Sequence, residues 1–475
     1  MKALKRDIKQ PNRPVKVVQF GEGNFLRAFV DWVIQRLNEE TDFNGNVAVV
    51  QPLPEGMLSK LAEQDGLYHV MLQGISQGEL KQESHLIDSL SEFYNPYQDF
   101  DAYEHIGTYP ELQFVFSNTT EAGITVNEND KMSDQAAVSF PGKLTHLLYR
   151  RYQAFDGAKD KGLYIIPCEL INHNGQALKE ALLKYADLWA LGEGYKRWLI
   201  SANHFCNTLV DRIVPGFPKD NIDAVQKKIG YQDQMVVEGE IFHLWVIEAD
   251  AEVQTAFPAD KIGVNMIYTQ DQQPYRNRKV HILNGAHTSM VPVGLLAGIS
   301  TVQGAVEDQQ VGKFIVDAVE QEIIPTLSLP KDELLEFAAE VMDRFRNPFV
   351  KHYLSSIALN AFPKYKTRVL PCVKTYFEQQ GTLPYRLVLA LSAYIHLYNS
   401  EIITLKDDAF VIDLLAKAWK ADDMQRTAFT VLSCEQIWGE DLSVIDGLLD
   451  MVSYQLELIQ TNGIAAAIKA PEAVN

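Results

Sequence analysis

A short run of β-forming residues, Val15-Lys16-Val17-Val18-Gln19-Phe20, leads directly into Gly21-Glu22-Gly23-Asn24-Phe25-Leu26-Arg27. Behind it the apolar positions Val30, Val33, Ile34 and Leu37 recur at helical spacing. Strand, glycine turn and helix in that order are how a dinucleotide-binding fold begins. The first glycine permits a tight turn, and the second lets the backbone approach a pyrophosphate held at the helix N-terminus. Leu26 occupies the third position of the Gly-x-Gly-x-x-Gly pattern, a departure that sets the helix further from the strand. A second apolar run, Val47 to Val50, completes a βαβ unit. At its end, where a ribose-binding fold places Asp or Glu, stand Gln51-Pro52-Leu53-Pro54-Glu55, so the expected acid is missing or displaced. No Arg or Lys follows until Lys60, which leaves a 2′-phosphate without a partner and favours NAD over NADP.

The alternation continues. Tyr68 to Leu72, Phe114 to Phe116, Leu163 to Ile166 and Thr208 to Val214 read as strands, with helical patterns over Gly142 to Arg151 and Gln176 to Ala190. This predicts an α/β domain with a mostly parallel sheet, in which ligands sit at the carboxyl ends of the strands. The turns after Phe116 and Ile166, with Thr119, Thr120 and Asn172, are the ones to examine. Residues 216 to 275, rich in Glu238, Glu240, Glu248, Asp250 and Glu252, read as an acidic, peripheral, strand-containing extension. Helical periodicity then dominates: Val311 to Ile324, Lys331 to Phe345, Tyr385 to Tyr398, Ala409 to Trp419 and Leu442 to Ile459. The reading is a Rossmann-type domain over residues 1–275 and a mostly α-helical domain over 276–475.

At the junction lies Lys279-Val280-His281-Ile282-Leu283-Asn284-Gly285-Ala286-His287. On an α-helix, at about 100° per residue, Asn284 and His287 fall roughly 140° and 80° from Lys279, and His281 roughly 160° away on the other side. Pro292 should kink any helix built from this stretch. Downstream, residues 344 to 368 carry Arg344, Arg346, Lys351, His352, Lys364, Lys366 and Arg368 without one Asp or Glu, in a chain of net charge −19. Such a local reversal suits an anion, either the phosphates of a cofactor or a carboxylate substrate, and since the first domain already offers a cofactor site the carboxylate is favoured. The same net charge argues against nucleic acid and anionic membrane as partners.

No His/Cys/Glu cluster has metal spacing, and neither a Gly-x-Ser-x-Gly elbow nor a Walker A sequence is present. Metal-free hydride transfer to a ketone fits the groups that remain. It needs a proton donor for the nascent alkoxide and hydrogen-bond donors for the charge building on that oxygen. Lys279 suits the first role if its surroundings lower its pKa, Asn284 the second, and His287 orients the lysine or binds an adjacent hydroxyl. Cys168, Cys206, Cys372 and Cys434 are far apart and read as reduced thiols. With no apolar run behind the first charged residues and no 18-residue apolar stretch, the expected location is cytoplasmic.

Lys279-x4-Asn284-x2-His287 resembles the signature of the mannitol dehydrogenase family, the long-chain polyol dehydrogenases that use lysine rather than zinc. Gly21 to Phe29, Phe116 to Gly123, Ile166 to Ile171, Val210 to Val214 and Arg344 to Pro348 are similar to the branch of that family that interconverts D-tagaturonate and D-altronate in hexuronate catabolism. The resemblance implies a Rossmann-type N-terminal domain, a helical C-terminal domain, NAD(H) as cofactor, and a keto-uronate/aldonate pair as substrate. It implies cofactor contacts from Phe20, Gly21, Glu22, Gly23, Asn24, Phe25, Leu26, Arg27, Thr119 and Thr120, and Leu26 in third place is the branch's own habit. Asp211 and Arg344 match positions lining the substrate cleft; Arg344 is the first choice for a carboxylate or hydroxyl contact, with Lys364 and Arg368 as alternates. Polyol enzymes carry Cys-Asp-Asn where this chain has Cys168-Glu169-Leu170, so either Asn172 supplies the second oxyanion amide or Asn284 acts alone. The alternatives are a fructuronate or mannitol/fructose reductase, a uronate epimerase that retains NAD, and a nucleotide-sensing scaffold that has lost the Lys/Asn/His set. The C-terminal helices suit a dimer surface and a core equally well, so the oligomeric state stays open.

Overall fold

The computed structural model describes every residue except 7–11, 121, 405, 422 and 471–475. Glu121, within the Phe116 to Gly123 motif, therefore lies outside the described residues. The chain divides into two compact units, one of Met1–Gly74 with Leu80–Gln272, the other of Ile75–Glu79 with Gln273–Asn475.

In the first unit six strands, β1 (Val15–Phe20), β2 (Asn46–Val50), β3 (Leu90–Tyr94), β4 (Phe114–Ser117), β5 (Tyr164–Pro167) and β6 (His204–Phe205), form a sheet in the order β3-β2-β1-β4-β5-β6. Every neighbouring pair runs parallel. All five residues of β2 are buried, as expected of a strand covered on both faces. The order reverses between β1 and β4, the switch point at which such sheets bind dinucleotides. Helix α1 (Asn24–Ala28) follows the glycine turn and stops after five residues, and α2 (Val30–Glu40) resumes beyond Phe29. The interruption has a local cause. Arg212 Nη1 donates to the Ala28 carbonyl at 2.6 Å, and the Tyr68 hydroxyl, bonded to Asp31 at 2.7 Å, shares its one proton with the Arg27 carbonyl at 3.1 Å, so two acceptors of the helical ladder are engaged from outside.

Residues 216–275 are not peripheral. Leu244–Glu248 sits between Asn207–Asp211 and Met266–Thr269 in a three-stranded sheet, and Val237–Glu240 pairs with Tyr68–Ser76. Trp245, Val246, Ile247 and Phe257 have no exposed surface, and the Trp245 ring lies 5.0 Å from Phe29 and 5.7 Å from Phe116. The acids that suggested a solvated region mostly flank apolar positions that point inward.

His243, in the same region, accepts a hydrogen bond from the Asn265 N–H on Nε2 at 2.9 Å and meets the Ile241 carbonyl through Nδ1 at 3.2 Å, which requires the neutral ring. Burial, then the charge of Arg212, push its pKa down to about 3. The unfolded chain takes up this proton near pH 6.5, so His243 contributes stability that is complete above about 6.5 and lost as pH falls towards 3. His243→Gln should flatten that part of the profile, by a few kcal/mol at most, in thermal midpoints measured from pH 7 to 4.

The second unit is helical, with α3 (Gly285–Leu296), α4 (Lys331–Phe345), α5 (Ala361–Arg368), α6 (Tyr385–Leu397) and α7 (Leu448–Asn462) as the elements that bear on the site. Ten of the thirteen residues of α6 are buried, which makes it the central helix. Two expectations are corrected here. The run predicted from Val311 to Ile324 is an α-helix only over Gln309–Asp317 and passes into a π turn at Ala318–Ile323. The run predicted from Leu442 begins at Leu448, because Gly447 adopts a left-handed φ of 73° and separates it from a 3₁₀ turn at Leu442–Val444. Among the described residues no helix is long and apolar enough to cross a membrane. Cys168, Cys206, Cys372 and Cys434 are free cysteines, and burial pushes the Cys206 and Cys372 thiols up to about 12.

Candidate active site

In the first unit the chain leaves β1 through Gly21 at a φ of 121°, with its N–H bonded to the Val50 carbonyl at 3.0 Å. A Cβ on Gly21 would stand 3.0 Å from the tip of Leu26, so the leucine in third position fills the space beneath the turn. Gly23 differs: among the described residues a Cβ there would meet nothing within 4 Å. Phe25 stacks on Phe29 at 5.1 Å, and Phe20 packs into the sheet's core at 5.0 Å from Phe140. Asn24 accepts from Arg27 Nη2 at 2.7 Å. Arg27 is itself buried; Nε donates to the Glu22 carbonyl at 3.0 Å, Nη1 to the Met235 carbonyl, and the guanidinium lies 5.3 Å over the Tyr68 ring. These contacts make Arg27 a brace for the turn from within. Its neighbour Asp31 is fully buried, and desolvation raises its pKa to about 7 against hydrogen bonds from Tyr68 and Gln19.

The loop after β4 is fastened by a residue the sequence did not single out. Glu169, buried at the end of β5, accepts from the Thr119 N–H at 2.9 Å, the Thr119 hydroxyl at 3.0 Å and the Ser117 hydroxyl at 3.1 Å. Burial raises its pKa and these donors oppose the rise. Thr120 is exposed, at a positive φ of 77°. Leu170 and Asn172 are exposed, whereas Asn174 is buried and its amide donates to the carbonyls of Pro167 and Glu169 at 3.0 and 3.1 Å and to Thr208. An acid directly after a buried strand was the available signal for Glu169; nothing in the sequence marked Asn174. Asp211 is buried at the end of its strand.

In the second unit the Lys279 stretch is not an α-helix. Lys279–Asn284 is a π turn, in which the Gly285 N–H reaches the Val280 carbonyl five residues back. An i→i+5 ladder advances roughly 80° per residue, which brings Asn284 to roughly 40° from Lys279 instead of 140°. Three further residues of α3 return His287 to within about 20° of Lys279. The π turn thus gathers onto one narrow face three side chains that an α-helix would spread apart. All three are half-buried. His281 stays on the far side, where its Nδ1 donates to the Arg368 carbonyl at 2.8 Å and burial lowers its pKa. The helix runs on through Pro292, and the Thr288 hydroxyl donates back to the Asn284 carbonyl at 2.8 Å.

The His287 ring lies 4.3 Å from Phe345 and 5.1 Å from His352, whose pKa burial lowers. Phe345 ends α4, and Arg344 before it is also buried. Arg278, next to Lys279, is buried against Phe337 at 4.4 Å and forms an ion pair with Glu333 at 2.6 Å. Lys364 and Arg368 belong to α5, whose last carbonyl meets the His281 side of the turn. Lys364 Nζ donates to the Ile357 carbonyl at 2.8 Å, and burial, then Arg368, lower its pKa. Of the basic window, His352 thus stands beside His287, whereas Lys364 is bonded to the Ile357 carbonyl.

The chain matches two family models, the mannitol dehydrogenase Rossmann domain over residues 15–260 and the mannitol dehydrogenase C-terminal domain over residues 271–460. It is 48% identical to an altronate oxidoreductase of Phocaeicola vulgatus over 476 aligned residues, 99% of both chains. An altronate oxidoreductase of Bacillus subtilis is 48% identical over 96% of this chain and 95% of its own, and one of Yersinia enterocolitica 45% identical over 98% and 99%. Among solved structures, a substrate-free D-sorbitol dehydrogenase superposes with a TM-score of 0.80 at 22% identity, covering 98% of this chain and 97% of its own. The Pseudomonas fluorescens mannitol 2-dehydrogenase in ternary complex with NAD and D-mannitol superposes with a TM-score of 0.66 at 20% identity, covering 98% and 95%.

Proposed function

The chain belongs to the mannitol dehydrogenase family, and on that premise we propose that it reduces D-tagaturonate to D-altronate, reversibly and with NAD(H), using Lys279 as the general acid and base. It is an oxidoreductase acting on CH–OH groups with a nicotinamide cofactor. The observation that carries the substrate is the 48% identity to altronate oxidoreductases over nearly the full length of both chains. The glycine turn fits a dinucleotide: it stands at the switch point of the sheet, and among the described residues a Cβ on Gly23 would meet nothing within 4 Å. Phe20 to Arg27, Thr119 and Thr120 are the residues assigned to hold it, with Arg27 acting from behind the turn.

The bound nicotinamide supplies the hydride that reaches the carbonyl carbon. The protein's share is the oxygen. Lys279 Nζ donates to the ketone oxygen and passes its proton there as the C=O π pair becomes the new O–H bond. Asn284 Nδ2 donates to the same oxygen and stabilises the charge that develops on it. His287, packed on Phe345, fixes the adjacent hydroxyl or the lysine, and Arg344 takes the carboxylate. In the oxidative direction Lys279 removes the hydroxyl proton. Asp211 is assigned to the substrate cleft, Asn172 supplies the second oxyanion amide unless Asn284 acts alone, and Lys364 and Arg368 are the alternates to Arg344.

The test is NADH oxidation with tagaturonate, fructuronate and fructose at neutral pH, with and without a chelator. Turnover of tagaturonate above the other two, unaffected by chelator, is the expected result. A preference for fructuronate or fructose would move the chain to another branch of the family, and inhibition by chelator would remove the lysine-only mechanism.

A further inference from the structure

Strand β2 is followed by Gln51-Pro52-Leu53-Pro54, without the carboxylate that reads a ribose diol at this place in related folds. Gln51 does not replace it: it is buried, and its amide donates to the carbonyls of Leu53 and Pro54 at 2.9 and 3.0 Å. Glu55 is exposed. A carboxylate nevertheless reaches this corner from another strand. Glu22, the middle residue of Gly21-Glu22-Gly23, extends from the turn after β1 to the segment after β2, where its Oε1 accepts from the Met57 N–H at 3.0 Å. Gly56 lies directly against it, since a Cβ there would stand 2.1 Å from Glu22 Oε1 and 2.6 Å from Gln51 Oε1. The Glu22 carbonyl is held in turn by Arg27 Nε at 3.0 Å, so the residue is fixed at both ends.

We propose that Glu22 is the ribose-reading acid of this chain, displaced from the end of β2 to the glycine turn, and that it sets the preference for NAD over NADP. With Oε1 occupied by Met57, Oε2 is the oxygen that accepts the 2′-hydroxyl of the adenosine ribose. A 2′-phosphate in that place meets a negative charge, and residues 51–57 offer no Lys or Arg to offset it. The assignment rests on the reading of a nicotinamide dinucleotide at the glycine turn. It adds a residue whose chemistry decides which of the two dinucleotides is accepted.

The test is equilibrium titration of the full chain with NADH and NADPH, and with ADP-ribose and 2′-deoxy-ADP-ribose as probes of the adenosine half. Wild type should bind NADH more tightly than NADPH and ADP-ribose more tightly than its 2′-deoxy form. Glu22→Gln keeps an oxygen for Met57 and replaces Oε2 by a donor. It should weaken NADH by about tenfold, strengthen NADPH, and erase the difference between the two ADP-ribose probes. Gly56→Ala, which forces the carboxylate aside, should do the same to NADH. The ratio of the two probes is taken within each variant, so partial loss of folded protein does not imitate the effect. Equal weakening of NADH and NADPH in Glu22→Gln, or an unchanged probe ratio, would overturn the assignment, as would a wild type that prefers NADPH or binds neither dinucleotide. A wild type that shows the NADH preference but turns over no keto-uronate would remove the proposed substrate and leave Glu22 in its role.

Discussion

Lys279→Ala is expected to lower kcat by roughly 10³ to 10⁴, while NADH affinity stays within about twofold of wild type. The size follows from losing both the proton donor and one of the two hydrogen bonds to the reacting oxygen. The retained affinity follows from where the two sets of residues stand: the glycine turn belongs to the first unit, and Lys279 to the π turn of the second. Single-turnover absorbance at 340 nm gives the chemical step, and fluorescence titration gives the binding. Partial rescue by added primary amine would mark the loss as that of a proton-carrying group, since a small amine restores neither packing nor helix geometry. Turnover at the wild-type rate would take the lysine out of the mechanism.

Asn284→Ala should cost roughly 10² to 10³ in kcat, with the effect on KM well below that. An amide aimed at the reacting oxygen does most of its work when charge develops there, so its removal is felt mainly in the transition state. In this chain the amide has no evident deputy after β5. By the resemblance to the polyol enzymes Leu170 is expected where they carry a second amide, and Asn174, the buried amide nearby in sequence, already donates to Pro167, Glu169 and Thr208. Asn172 is exposed and is the one candidate left. The double variant Asn172→Ala/Asn284→Ala measures its share. If Asn284→Ala retains more than about a tenth of wild-type kcat, the oxyanion is stabilised elsewhere and this account is wrong.

The α/β class, the β1–turn–helix opening and the later helices were legible because burial on both faces writes continuous apolar runs such as Val47 to Val50, and amphipathic helices write a 3.6 period. What escaped has a physical reason in each case. The acids of residues 216–275 suggest a solvated region, but the apolar positions between them, Trp245 and Ile247 above all, are what the core takes up. The apolar period from Leu442 to Ile459 runs through Gly447 without a break, whereas its left-handed φ, a property of the folded chain, starts α7 at Leu448. In the candidate site the residue types were readable, but their relative directions were not. Val280, Ile282, Leu283 and Ala286 satisfy an α-helix and a π turn alike, so no period in the sequence announces the i→i+5 ladder. Glu169 and the reach of Glu22 were hidden for a different reason: each acts on a loop from a different strand, and contacts of that kind have no fixed sequence separation.

A π turn is, in effect, one residue of surplus absorbed into a helix. A partner five positions after the lysine therefore stands where an α-helix would put a partner four positions after it. Deleting Val280 should let the segment close as an ordinary α-helix, with lysine and asparagine, now four apart, still in register. What such a deletion removes is the slack of the wider turn, not the alignment. For this reason a search for relatives by strict helical phase would pass over Lys-x4-Asn, and one that allows a single inserted residue would find it.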